Sequence, residues 1–144
     1  MAPNPRRQDE RLDELYALLP EMECQGKCAH ICRTTMTMSL RERARIEAVH
    51  GPVKAERLGW CTMLEDKRRC KAHAIKPMMC RLWGMTEDMR CPYGCEPKPR
   101  YLTPQEGAAF LLKADEIGVK GNHRAELDDR VWYTVEDAKK LGIL

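Results

Sequence analysis

Eight cysteines constrain this chain more than any other feature of it. They run Cys24-x3-Cys28-x3-Cys32, then Cys61-x8-Cys70-x9-Cys80, then Cys91-x3-Cys95. Residues 59–100 hold the last five together with Pro77, Pro92, Pro97 and Pro99. Regular structure cannot run far through so many turn residues, and such a segment is hard to order by burial alone. Burial is also in short supply. Of the 144 residues, 43% are hydrophobic, 33% are charged and one is Phe, which leaves a modest core for one domain. Crosslinks through sulfur are the available supplement. No run approaches the roughly 18 apolar residues of a membrane-spanning helix, so no membrane partner is expected. Eight cysteines and three tryptophans are also unlike a disordered chain.

Compartment decides between disulfide and metal. The chain begins Met1-Ala2-Pro3-Asn4-Pro5-Arg6-Arg7, and no apolar run follows, which predicts a cytoplasmic protein without a secretory signal. Thiols stay reduced there, so the cysteines point to metal. Four sulfurs in a tetrahedron suit zinc or an iron–sulfur cluster. Structural zinc sites often use a C-x2-C knuckle, and this chain has none. Its close spacings are all x3. They favour a larger object, an iron–sulfur cluster, with Zn2+ as the alternative. Cys91-Pro92 is similar to the Cys-Pro that closes bacterial ferredoxin motifs. His30, between two cysteines, and His73, three residues after Cys70, are substitute donors, although eight sulfurs already fill two four-ligand sites. His50 and His123 sit beside turn residues and carry no ligand signal.

Charge bears on the partner. The net charge is +3, and it is uneven. Residues 61–100 carry nine Lys and Arg against five Asp and Glu, whereas residues 101–144 carry six against eight. The basic block is the cysteine-rich block. Two four-thiolate zinc sites would each add about −2, taking the whole chain to about −1. The basic excess is therefore a counter-charge to metal thiolates as much as an attractor of nucleic acid. A protein partner is expected, and nucleic acid is not favoured.

The remaining pattern is helical. Leu12, Leu15, Tyr16 and Leu19 predict an amphipathic helix over 6–19 ended by Pro20. Ser39 and Glu42 have capping-box spacing ahead of a helix through Val49, stopped by Gly51-Pro52, with a thin face of Leu40, Ala44 and Ala48. Thr103, Pro104 and Glu106 start the clearest helix, 103–118, with Phe110, Ala114 and Ile117 on one face and Gly118 at its end. A short strand is expected around Val131-Trp132-Tyr133, followed by a turn or two capped by Thr134. The fold class predicted is small and mainly α with loop-rich segments, a metal-stabilised cysteine-cluster domain. Its parts are an N-terminal helix (1–23), the cysteine-cluster metal-binding domain (24–100) and a C-terminal helical extension packing on it (101–144).

One family shares this arrangement. The blocks are Cys24-Gln25-Gly26-Lys27-Cys28, Trp60-Cys61-Thr62-Met63-Leu64, Arg69-Cys70, Lys76-Pro77-Met78-Met79-Cys80-Arg81-Leu82-Trp83-Gly84 and Cys91-Pro92-Tyr93-Gly94-Cys95. Over residues 24–96 the chain resembles the YkgJ-type zinc- or iron-chelating cysteine-cluster family, whose relatives include flagellin lysine N-methylase. Three places depart from that pattern. Cys28 and Cys32 are separated where the family has adjacent cysteines, Lys76 stands for an Arg, and Ala72-His73-Ala74-Ile75 replaces an aromatic region. The resemblance implies a metal-binding module, with a 4Fe–4S cluster as in the methylase relatives. The cysteines themselves, Cys24, Cys28, Cys32, Cys61, Cys70, Cys80, Cys91 and Cys95, are the candidate ligand set. Arg81 is placed to hydrogen-bond sulfur and Pro77 to fix the turn presenting Cys80.

Three functions fit these residues. The favoured one is a metal-cluster protein with a structural or redox-sensing site that acts by binding a macromolecular partner. The second is a small protein-modifying enzyme related to the methylase, against which stands the absence of a glycine-rich S-adenosylmethionine loop. The third is a zinc-stapled regulator of transcription machinery or nucleic acid. Trp60, Trp83, Trp132 and Tyr133 are candidate anchors for a partner, with burial the commoner role of each.

Overall fold

The computed structural model describes residues 3–24, 38–53, 63–65 and 69–120. Among these the fold is small and mainly helical. The helices are α1 (Pro5–Ala17), α2 (Leu40–His50), α3 (Met78–Leu82) and α4 (Pro104–Gly118), and a 3-10 turn spans His73–Ile75. Strands β1 (Leu64–Glu65) and β2 (Arg69–Cys70) form one antiparallel ladder with Leu64 opposite Cys70. No helix of the described residues is long and apolar enough to cross a membrane. Cys28, Cys32, Cys61, His30, Trp60, His123 and everything expected after residue 120 lie outside the described residues.

Local chemistry starts three of the helices. Asn4 caps α1, its side chain accepting from the N–H groups of Arg6 (3.0 Å) and Arg7 (3.4 Å), and Pro5 needs no such partner. Ser39 with Glu42, and Thr103 with Glu106, each close a full capping box. Helix α1 ends at Ala17, two residues earlier than its apolar pattern reaches. The last bonds, Leu18 N–H to Leu15 and Leu19 N–H to Tyr16, are the tighter i to i−3 kind that lead out towards Pro20.

Two small cores result. The first joins Leu12 and Leu15 of α1, Met78 and Leu82 of α3, Leu102, and Ala114 and Ile117 of α4. The helix that opens the chain, the helix inside the cysteine block and the helix after it thus share one core. The second joins Met38, Ile46, Val53, Met63 and Ala72, with Cys70 packed against it.

One expectation needs correction. The buried face of α2 is not Leu40, Ala44 and Ala48, which are exposed, but Glu42 and Ile46. An acidic side chain can face inward because its oxygens are fully engaged. Glu42 accepts from Ser39 N–H (3.1 Å), Ser39 Oγ (2.9 Å), the Tyr16 hydroxyl (2.5 Å) and Met78 N–H (2.6 Å). One carboxylate therefore ties α1 and α2 to the first turn of α3. Gly118 ends α4 as expected, and the left-handed residue after it is Val119 (φ 69°). The glycine serves a close approach. A Cβ there would lie 2.7 Å from the Ser39 Cβ and collide with Ser39 Oγ. Beside it, Leu40 N–H bonds the Val119 carbonyl at 2.8 Å, so the end of α4 abuts the start of α2.

Candidate metal centre

Five of the eight cysteines, Cys24, Cys70, Cys80, Cys91 and Cys95, fall among the described residues, and no disulfide joins them. They form two groups.

The first, Cys24, Cys70 and Cys80, is linked through its electrostatic effect on Lys76. Strand β2 ends at Cys70, the 3-10 turn follows, and Pro77 caps α3, which carries Cys80 on its third residue. Pro77 is buried with φ −72° and ψ 167°, the extended conformation a helix cap needs, and its carbonyl accepts Arg81 N–H at 3.1 Å. This turn leaves Lys76 half-buried. Burial pulls the Lys76 ammonium below the ordinary lysine range, while the negative charge available at Cys80, Cys24 and Cys70 pulls the other way. Three cysteines from distant parts of the sequence thus act on one cation. Burial pushes the Cys70 thiol up, against the Ala72 N–H and the charges of Lys76 and Lys71. The charge of Lys76, then burial and Arg81, hold the exposed His73 below its usual value, so its imidazole is neutral at neutral pH.

The second group is the turn Cys91-Pro92-Tyr93-Gly94-Cys95. Gly94 adopts φ 82°, which bends the chain back on itself. Its N–H bonds the Cys91 carbonyl (3.3 Å), and Tyr93 N–H reaches Cys91 Sγ (3.4 Å). Burial alone would raise the Cys91 thiol. The N–H groups of Tyr93, Cys95 and Gly94 and the Cys95 thiol outweigh it, and Cys91 falls below its ordinary value. Cys91 is partly exposed, whereas Cys95 is buried at 6% exposure.

The stretch before Cys24 runs beside this turn. Glu21 and Lys98 form an antiparallel bridge, each N–H bonding the other's carbonyl (3.1 and 2.7 Å). A Cβ on Gly84 (φ 85°) would meet Met22 Cε at 3.1 Å and Cys91 Cβ at 3.6 Å. Met22, two residues before Cys24, and Cys91 therefore both flank the space beside Gly84.

The donor chemistry fits a thiolate-bound metal or cluster. Main-chain N–H groups aimed at sulfur stabilise the anion that a metal requires, and a cation among thiols does the same. Among the described residues no three His, Cys, Asp or Glu side chains converge closely enough to hold an ion, and three of the eight cysteines lie outside them. Arg81 spends its hydrogen bonds on the carbonyls of Lys76 (2.7 Å) and Ala74 (3.2 Å), and its guanidinium lies 3.8 Å from the centre of the Tyr16 ring. These contacts fix the turn between Cys70 and Cys80. Sequence reasoning noticed Lys76 only as a departure from a family pattern. Its place directly before Pro77, six residues from one cysteine and four from the next, was the available signal. Glu42 gave no signal beyond its cap.

Away from the cysteines, α3 and α4 bound a small apolar cleft lined in part by Met79, Leu82, Met89 and Leu111. Its one buried hydroxyl, Thr86 Oγ1, has no partner. No protein-family model, curated protein or solved structure matches the chain.

Proposed function

We propose that the chain is a metal-binding cysteine-cluster protein of the YkgJ type. It holds an iron–sulfur cluster, or zinc in its place, at a structural or redox-sensing site and acts by binding a macromolecular partner. The observation that carries this reading is the Cys91–Cys95 turn, where a partly exposed cysteine receives main-chain N–H groups with a second cysteine on the same turn. Cys24, Cys70 and Cys80, whose charges bear on Lys76, support it with a second set of donors. Cys91, Cys95, Cys24, Cys70 and Cys80 would hold the metal together with Cys28, Cys32 and Cys61. The metal would supply crosslinks between segments whose own cores are small. Tyr93 is 40% exposed on the same turn, which puts an aromatic contact for a partner next to the site.

Cysteine substitution tests the reading. Cys24→Ser, Cys80→Ser and Cys91→Ser should each lower both bound metal and the yield of folded protein, because metal-binding energy here is folding energy. His50→Ala should change neither. Full metal content and unchanged thermal stability in all three cysteine variants would remove these residues from the ligand set.

A further inference from the structure

The small apolar cleft between α3 and α4 lacks something on both its apolar and its polar side. Leu82 of the first core lines it together with Met79, Met89 and Leu111, which are each half-buried. Methionine side chains adapt to what they hold. Thr86, 1% exposed, lines the same cleft, and its hydroxyl has no partner. The Thr86 methyl group stands against Gly107, where a Cβ would come within 2.8 Å of it. A buried hydroxyl left without a partner costs free energy that an acceptor recovers. At the rim Asp88 is exposed and makes no ion pair among the described residues. The arginines nearest in sequence are engaged elsewhere. Arg100 pairs with Glu106 at 2.7 Å, and Arg90 lies over the Tyr101 ring, 4.3 Å from its centre. The cleft is small, which suits one aliphatic side chain rather than a whole small molecule. Its occupant should therefore carry an aliphatic side chain, a main-chain acceptor and a positive charge side by side.

We propose that the chain's own segment Lys139-Lys140-Leu141-Gly142-Ile143-Leu144 docks in this cleft, with Leu141 filling it and Lys140 facing Asp88. Residues 121–144 lie outside the described residues. Among them, this is the stretch where two cations directly precede aliphatic side chains with no acidic residue between or after. Arg130 precedes Val131 as well, but Asp128 and Asp129 stand before it and would meet Asp88 with like charge. The reach is sufficient. The described chain leaves α4 at Gly118, and the cleft lies on the other half of that helix, about 16 Å back along the axis at Gly107. The residues from Lys120 to Lys139 can span about 60 Å when extended, and about 28 Å even at the rise of a helix. A main-chain carbonyl of the docked segment gives the Thr86 hydroxyl its acceptor. The contact does not depend on bound metal, and it seats the segment on α3, the helix that carries Cys80.

Two readouts on the full chain test this. In the first, protein carrying carbon-13 at its methionine methyl groups is compared by NMR with its Leu141→Asp variant. The methyl signals of Met79 and Met89 should move, and those of Met38 and Met63 in the second core should stay. In the second, a carbodiimide joins carboxylates to amines that touch them. Trypsin places Asp88 in peptide 82–90 and Lys140, once coupled, in peptide 140–144. The two peptides should be recovered as one species, with the bond at Asp88 and formed within single chains. Its yield should fall about tenfold in Leu141→Asp, because burial of the leucine drives docking. Thr86→Val, which keeps the shape and removes the hydroxyl, should lower the yield by a smaller factor. The inference is overturned if the Met79 and Met89 signals are unmoved in Leu141→Asp, or if the coupling yield is the same in that variant. It is also overturned if the coupling joins only separate copies, which a mixture of unlabelled and nitrogen-15-labelled chains reports.

Discussion

Glu42→Gln probes a buried side chain that accepts four hydrogen bonds, with a change of almost no volume. The two carboxylate oxygens divide four donors. One oxygen takes the N–H and Oγ of Ser39, and the other takes the Tyr16 hydroxyl and the Met78 N–H. Glutamine keeps one acceptor oxygen and replaces the other with an NH2 donor. With its oxygen towards Ser39, the Tyr16 hydroxyl can turn to accept, but the Met78 N–H faces another donor. With the amide reversed, the Ser39 hydroxyl can accept and the Ser39 N–H is stranded. Either way one main-chain N–H is buried without a partner, which costs about 1–3 kcal/mol. Relief from burying an ion opposes this. It is small here because four donors already replace the water, and the lost bonds are of the stronger, charge-assisted kind. We expect a loss of about 2 kcal/mol, a large share of the 5–15 kcal/mol typical of a domain, and a fall in Tm of about 4–8 °C. The assay is reversible urea unfolding followed by far-ultraviolet circular dichroism. Tyr16→Phe, which leaves the Met78 N–H paired, should cost about 1 kcal/mol. A Glu42→Gln protein as stable as the parent at neutral pH would refute the claim that this carboxylate ties α1, α2 and α3 together.

Two further outcomes follow from packing and charge. Gly118→Ala sets a methyl group against Ser39, where the nearest carbon is 2.7 Å away, and should destabilise by about 1–3 kcal/mol despite the better helix propensity of alanine, measured by the same unfolding curves. Asp115 is pushed up to about 6, first by burial and then by the Glu42 charge, with Lys120 opposing. Its folded pKa lies above its unfolded value of 3.8, so the stability it contributes is full below 3.8 and is lost as pH rises through 6. Asp115→Asn should therefore raise Tm by a few degrees near about pH 7.5 and bring no gain near about pH 4. An equal effect at both pH values would show that the carboxyl is not strained by ionisation.

What the sequence revealed was local. The starts of α2 and α4 are written in Ser39 with Glu42 and in Thr103 with Pro104 and Glu106, because a capping box is closed within four residues. The apolar face of α1 was legible for the same reason, since Leu12 and Leu15 repeat at helical spacing. What escaped was tertiary. The inward turn of Glu42 depends on Tyr16 and Met78, and the clearance at Gly118 depends on Ser39. Helix α3 is five residues long, too short to show periodicity, and it begins on a proline in a stretch that reads as loop. At the site, spacing named the cysteines without grouping them. The charges of Cys24, Cys70 and Cys80 bear on Lys76 together only through the fold. The Cys91–Cys95 turn is the exception, since a proline and a glycine between two cysteines dictate it locally.

The most direct test of a metal-holding cysteine cluster is the metal and acid-labile sulfide content of the full chain purified without oxygen. The proposal predicts iron with a matching amount of sulfide and a broad visible absorption that bleaches on reduction or in air. Zinc at about one or two equivalents, without colour or sulfide, would keep the metal and remove the cluster. A folded chain carrying neither metal would contradict the central claim.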